Sequence, residues 1–134
     1  MQDRPDAREL LAAVQGFLEE QVVPALDGTR QFHARVAANV LAIVGRELEL
    51  GEASLWREWR RLTDLLDMPA SPPENGAALT AAVRTLNAEL ASRIRIGDAD
   101  EEPWRSRVVD HLRATALDRL AIANPRYAGP TSGS

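Results

Sequence analysis

Apolar residues recur at every third or fourth position along most of this chain, and the breaks between those runs predict five helices. In "RPDARELLAAVQGFLEEQVVP" the stripe is Leu10, Leu11, Val14, Phe17, Leu18 and Val22. Pro5 and Asp6 suit its start, and Pro24 ends it. "ALDGTR" is a turn in which Gly28 is free to take a positive φ. The second helix runs from about Thr29 to Leu50, with Gly51 as its stop. The third, "ASLWREWRRLTDLLDM", carries Leu55, Trp59, Leu62 and Leu66 on one face. "PASPPENG" is a loop crowded with proline. It offers two caps for the fourth helix: Ser71 with Glu74 at capping-box spacing, or Asn75. That helix, "AALTAAVRTLNAELASRIRI", carries Leu79, Val83, Leu86, Leu90 and Ile94, and Gly97 stops it. The acids of "DADEE" precede the fifth helix, where they complement its dipole. The fifth carries Trp104, Val108, Leu112, Ala116 and Leu120 and ends before Pro125.

No segment alternates with the period of two that a strand needs. Short connections between amphipathic helices favour antiparallel neighbours, so the expected fold is all-α, an up-and-down bundle of about five helices. Residues 1–127 are expected to form a single helical domain, with residues 128–134 a flexible C-terminal tail. Helices one and two would form one hairpin, four and five another, with the third as a bridge.

The second helix is the unusual one. Around its wheel, Phe32, Val36, Val40, Leu41, Ile43, Val44 and Leu48 fill one half. Ala34, Ala38, Ala42 and Gly45 form an adjoining strip of small residues that would admit a close neighbouring backbone. A helix this apolar is expected to be central and buried on several sides. Arg35, Asn39 and Arg46 close the circle as a narrow polar stripe. His33 and Glu47 fall inside the apolar half; His33 is near the helix start, and Glu47 can snorkel to solvent.

These polar residues admit two readings. Asn39 is a poor mid-helix residue, so it either bonds another helix and sets packing specificity or belongs to a site. In the second case His33, Arg35, Asn39 and Arg46 would surround a small anionic ligand, with the guanidinium forks on a carboxylate or phosphate. "WREWRRL" sets Trp56, Arg57, Arg60 and Arg61 together beside the core Trp59. It is either a solvated face next to a core tryptophan or a surface for docking a partner, since Trp and Arg are favoured anchors.

Composition narrows the chemistry. The chain has 134 residues and no cysteine, which removes disulfides, thiolate nucleophiles and cysteine metal sites. Its net charge of -4 argues against binding nucleic acid by phosphate neutralisation. Every basic residue is Arg, so there is no lysine for a Schiff base or a P-loop. The two histidines, His33 and His111, fall on different helices without a metal-binding spacing. Ser54, Ser71, Ser92 and Ser106 sit in no glycine elbow, and no glycine pattern makes a phosphate cradle. No apolar run approaches a membrane span, and the first residues have no signal-peptide character, so a cytoplasmic location is expected. No catalytic residue, metal or cofactor is assigned.

Four stretches, "PDARELLAAVQGFLEE", "ALDGTRQFHARVAANVLAIVGRELELG", "LNAELASRIRIGD" and "HLRATALDRLAIANPRY", together resemble a bacterial family of small helical domains of unknown function. Such domains occur alone or beside aminoglycoside-phosphotransferase-like kinases, in settings that include acyl-CoA dehydrogenases. The resemblance extends up to Tyr127 and brings no catalytic residues with it. It implies a non-enzymatic accessory or interaction domain that acts with a phosphotransferase-like kinase or an acyl-CoA dehydrogenase. A homodimer is compatible with that role and would follow from an apolar face left uncovered.

Overall fold

The computed structural model describes residues 5–128. Its regular structure is all helical, with no strand among the described residues. Helix α1 spans Ala7–Phe17, α2 Gly28–Leu65, α3 Gly76–Arg95 and α4 Trp104–Ala123, and α5 is the single turn Pro125–Ala128. The tail expected at 128–134 lies outside the described residues except for Ala128, which closes α5. The chain divides into two compact units, Met1–Gly51 with Ile122–Asn124 and Glu52–Ala121 with Pro125–Ser134.

In unit one, α1 starts at a reciprocal capping box. The Asp6 carboxylate accepts from the Glu9 amide at 2.9 Å, and the Glu9 carboxylate accepts from the Asp6 amide at 2.9 Å. Pro24 shapes the other end. It has no N–H to give, and its ring crowds the carbonyl four residues back. The chain widens to a π-helical turn over Leu18–Val22, where the Val23 amide donates to the Leu18 carbonyl, and then tightens to a 3-10 turn over Val23–Ala25. Gly28 has the positive φ that its turn needs, 59°. The Gln31 side chain donates back to the Val23 carbonyl at 2.9 Å and ties the turn to the start of α2.

The expected second and third helices are one helix. α2 runs for 38 residues and passes through Gly51 without a break. A glycine inside a helix costs only about 1 kcal/mol relative to alanine. The flanking "RELELGEASLWREW" contains strong helix formers and no proline, so the glycine does not stop it. Among the described residues the count is therefore four helices plus a one-turn segment, where about five were expected.

The burial expected for the first part of α2 is also corrected. Ala34 and Ala38 are buried, yet Phe32, Val36, Val40, Val44 and Leu48 lie open at 62%, 44%, 50%, 40% and 52% exposure. The reason is the small-residue strip. Ala42 and Gly45 share a cleft with Leu11 and Ala12 of α1, and Ala38 and Ala42 share another with Glu19 and Val23. The N-terminal run approaches α2 where side chains are smallest and leaves the bulky half to solvent. α1 splits its own stripe in the same way: Leu11, Leu18 and Val22 are half-buried, while Leu10, Val14 and Phe17 are exposed.

Unit two is built on the later part of α2 with α3 and α4. Its core holds Trp59, Leu62, Leu65 and Leu66 of the first segment against Leu79, Val83, Leu86 and Leu90 of α3 and Val108 of α4. Asn75 caps α3, accepting from the Ala78 amide at 2.8 Å, so Ser71 and Glu74 are not the cap. α2 ends with Asp67 in the left-handed region at φ 53°. The Met68 amide donates to the Thr63 carbonyl at 3.0 Å and the Asp67 amide to the Asp64 carbonyl at 3.2 Å, the bond pair of a Schellman stop. The Trp104 indole N–H donates to the Leu65 carbonyl at 3.1 Å and satisfies one more terminal acceptor. Gly97, at φ 98°, ends α3 as expected. On α4 the buried face is Val108 and His111, and the expected stripe residue Leu112 is half exposed.

Gly51→Ala tests the continuity of α2. A Cβ at that position would meet only the flexible end of the Glu47 side chain, which can swing aside. The variant is expected to raise the unfolding free energy in urea by up to about 1 kcal/mol. A loss of stability would mean that residue 51 terminates a helix.

Candidate functional site

Polar side chains inside the core of unit two form the most organised cluster among the described residues. Glu58 and His111 are the buried polar side chains there, at 5% and 4% exposure. Glu58 stands on α2 between the core residues Leu55, Trp59 and Leu62. A carboxylate in such a place needs hydrogen bonds and a counter-charge. α3 supplies the first: the Asn87 amide donates to Glu58 Oε2 at 2.9 Å. α4 supplies the second: Arg119 Nη2 lies 3.7 Å from Glu58 Oε1. One carboxylate therefore engages both of the other helices.

His111 is held from α2 one turn further on. Arg61 Nε donates to His111 Nδ1 at 3.4 Å, so the neutral ring carries its proton on Nε2. The same guanidinium donates to Thr115 Oγ1 at 2.9 Å and lies 3.7 Å from Asp118 Oδ2. Arg57 joins Asp118 at 3.1 Å and also reaches Ser54 Oγ at 3.3 Å. Burial pushes the His111 pKa below its ordinary value; the Arg61 charge pushes the same way, and Glu58 opposes both. A neutral imidazole with Nδ1 already accepting a proton donor holds α4 to α2. The ring also borders a cleft of about 230 Å³ with Arg61, Asp64, Arg107 and Asp110, where two guanidiniums balance two carboxylates.

The residues singled out for docking divide accordingly. Trp56 is half-buried against the core, its ring edge-on to Trp59 with centroids 5.7 Å apart. Arg57 and Arg61 are engaged with α4, as described. Arg60 alone of the three guanidiniums is exposed with no side-chain partner among the described residues.

The four residues proposed to surround an anion are all in unit one but do not converge. Arg35 and Asn39 border a cleft of about 290 Å³ with Glu19, whose carboxylate faces the same space. Arg46 borders a different cleft, of about 480 Å³, with Asp6, Arg8, Glu9 and Glu49. Its Nε donates to the Ile122 carbonyl at 2.6 Å. His33 borders neither cleft; it is exposed beside Phe32, ring edge to ring face at 5.7 Å. Asn39 is exposed and makes no hydrogen bond to another helix among the described residues. No group of three or more His, Asp or Glu side chains among the described residues is arranged to hold a metal ion. No helix among them is long and apolar enough to cross a membrane.

Against known proteins, the family model described as "Domain of unknown function (DUF6285)" matches residues 24–127. The chain belongs to the DUF6285 family. The DUF6285 match opens just ahead of α2 and takes in α2, α3 and α4 whole, together with the buried cluster. No curated protein and no solved structure matches the chain.

Within this DUF6285 domain, sequence reasoning missed Glu58 and His111. A signal for both was present. Trp104, Val108, His111, Thr115 and Asp118 recur at spacings of four, three, four and three, which is one helical face. Placing Leu112 on that face hid the polar one beside it. Glu58 adjoins Trp59 and is one turn from Leu55 and Leu62, at an edge where a charged residue is ordinarily solvated.

Two outcomes follow from the cluster. Asn87→Ala leaves Glu58 without its hydrogen-bond donor, and a loss of about 1–3 kcal/mol in a urea melt is expected. His111 gives a pH dependence. Its folded pKa lies below the unfolded value of 6.5, so between the two the unfolded chain binds more protons. Stability is then complete above that pH and falls as the pH drops through it towards the folded pKa. Thermal melts should show a decline below about pH 6.5 that flattens in His111→Gln; an unchanged slope would remove His111 as its source.

Proposed function

We propose that this chain is a non-enzymatic helical assembly domain that joins another helix through the open apolar strip of α2. The observation that carries the reading is that strip: Phe32, Val36, Val40, Val44 and Leu48 lie in one row on a long helix, each close to half exposed. Scattered apolar residues on a surface need no explanation, but a continuous row on one helix marks an interaction site. The buried cluster of unit two supports the same reading from the other side. Its titratable groups are engaged with one another, and it lends that unit a fixed arrangement.

The finer reading is that the domain serves a phosphotransferase-like kinase or an acyl-CoA-handling enzyme in bacteria. Its support is the sequence resemblance, and Arg60 is the exposed group of the Trp/Arg face left to make that contact. The alternative, a pocket for a small anionic ligand, draws less support. Glu19 shares the cleft of Arg35 and Asn39, and Asp6, Glu9 and Glu49 outnumber Arg8 and Arg46 in the other. An anion would meet carboxylates in both.

Val44→Asp tests whether the strip is surface. At an exposed position the variant is expected to keep its helical circular dichroism and to change stability by less than about 1 kcal/mol. A variant that unfolds would make the strip part of a core and end the reading.

A further inference from the structure

We propose that a second copy of this chain covers the α2 strip, packed antiparallel to the first with the two-fold axis passing at Val40. The proposal rests on the reading of the strip as a docking surface and adds its occupant and register. In a two-fold contact, if residue i meets residue j, then j meets i. Two antiparallel copies of α2 centred on Val40 therefore pair residues equidistant from it. Those pairs are Val36 with Val44, Phe32 with Leu48, Ala37 with Ile43, and His33 with Glu47. Apolar meets apolar at each layer, and the imidazole meets the carboxylate twice, once on each side of the axis.

The polar pair decides between arrangements. His33 and Glu47 both lie within the apolar half of the wheel, and both are exposed. Neither has a charged partner among the described residues. A parallel pairing in register would set Glu47 against Glu47, and like charges face to face suppress a contact. The antiparallel pairing instead sets each carboxylate beside an imidazole, which can donate a hydrogen bond to it. The spacing fits as well: His33 and Glu47 stand seven residues either side of Val40 and within about 20° of it around the helix, and the row of Phe32, Val36, Val40, Val44 and Leu48 at four-residue spacing is a ridge that packs against its like at a crossing of about −50°.

Within unit one, the described residues leave the strip accessible. The clefts that bring the N-terminal run against α2 are lined by Ala38, Ala42 and Gly45, roughly opposite Val40 around the helix. Area is the last constraint. At these exposures Phe32 and Leu48 present on the order of 100 Å² each and the three valines less, about 400 Å² per copy. Two copies then hide roughly 800 Å² from the row itself, in the range of weak, transient interfaces. The pairing should therefore be reversible rather than obligate.

The absence of cysteine makes the register directly readable. In sedimentation equilibrium the full chain is expected to shift from one to two copies with rising concentration. Under mild oxidation Val40→Cys should link to itself, because residue 40 lies on the axis. Val36→Cys and Val44→Cys should each stay unlinked alone and link when mixed. Glu47→Arg should weaken the dimer by about tenfold or more, and adding His33→Glu should restore it. A chain that stays monomeric while Val44→Asp folds normally would overturn the second copy but leave the docking surface standing. A dimer in which Val40→Cys fails to self-link would overturn the register.

Discussion

A carboxylate stands inside the core of unit two, and its needs fix the arrangement around it. Glu58 comes from α2, its hydrogen-bond donor Asn87 from α3 and its counter-charge Arg119 from α4. Apolar packing alone would tolerate a helix slid or rotated by a fraction of a turn, since Leu and Val pack adequately in several ways. A buried charge does not. Any arrangement that separates Glu58 from Asn87 leaves an ion in a poorly solvating place, at several kcal/mol in the worst case. A buried pair of this kind ordinarily adds little net stability; what it raises is the cost of packings that would pull Glu58 from Asn87. Arg61 repeats the device one turn on, where it binds His111, Thr115 and Asp118 along a single face of α4.

The same residues explain why the Trp/Arg stretch is a weak guide to partners. "WREWRRL" looks like an exposed basic patch, but Arg57 and Arg61 are turned towards α4 and Trp56 lies half under cover. A guanidinium serves equally well at an intermolecular contact and across two helices of one chain. Only the position of Asp118, sixty-one residues from Arg57, decides which applies. Sequence spacing cannot supply that information, because it depends on how α4 returns to α2.

Legibility follows the range of the forces involved. Local signals are readable: the start of α1 at Asp6, the positive φ of Gly28 and the stop at Gly97, while the cap of α3 is narrowed only to Ser71 or Asn75, of which Asn75 serves. Each depends on a few neighbouring residues and steric rules that hold everywhere. Gly51 misleads because glycine is a weak stop, favoured at helix ends yet tolerated within a strong helical run. The core face of α3 is readable in full down to Leu90, since four leucines and valines at regular spacing leave no other face to bury. The face of α4 is not, because two stripes compete there and the buried one contains a histidine.

The central disagreement concerns the wide apolar half of α2. Its pattern calls for burial, and that inference from amphipathicity is sound. Within unit one, however, the alanine strip borders the clefts that α2 shares with α1 and with Glu19 and Val23. Small residues let two helical backbones come close, and a neighbour seated on that side cannot also cover the larger side chains round the helix. A helix with small residues on one side and branched ones on the other thus has two packing faces, and the described residues of unit one use only the first. His33 and Glu47 sharpen the point. In a core closed by the chain itself, two titratable groups amid valines would each need an internal partner, as Glu58 and His111 have. They have none among the described residues. An imidazole and a carboxylate set symmetrically about Val40 are the groups that the proposed pairing of two copies would bring together.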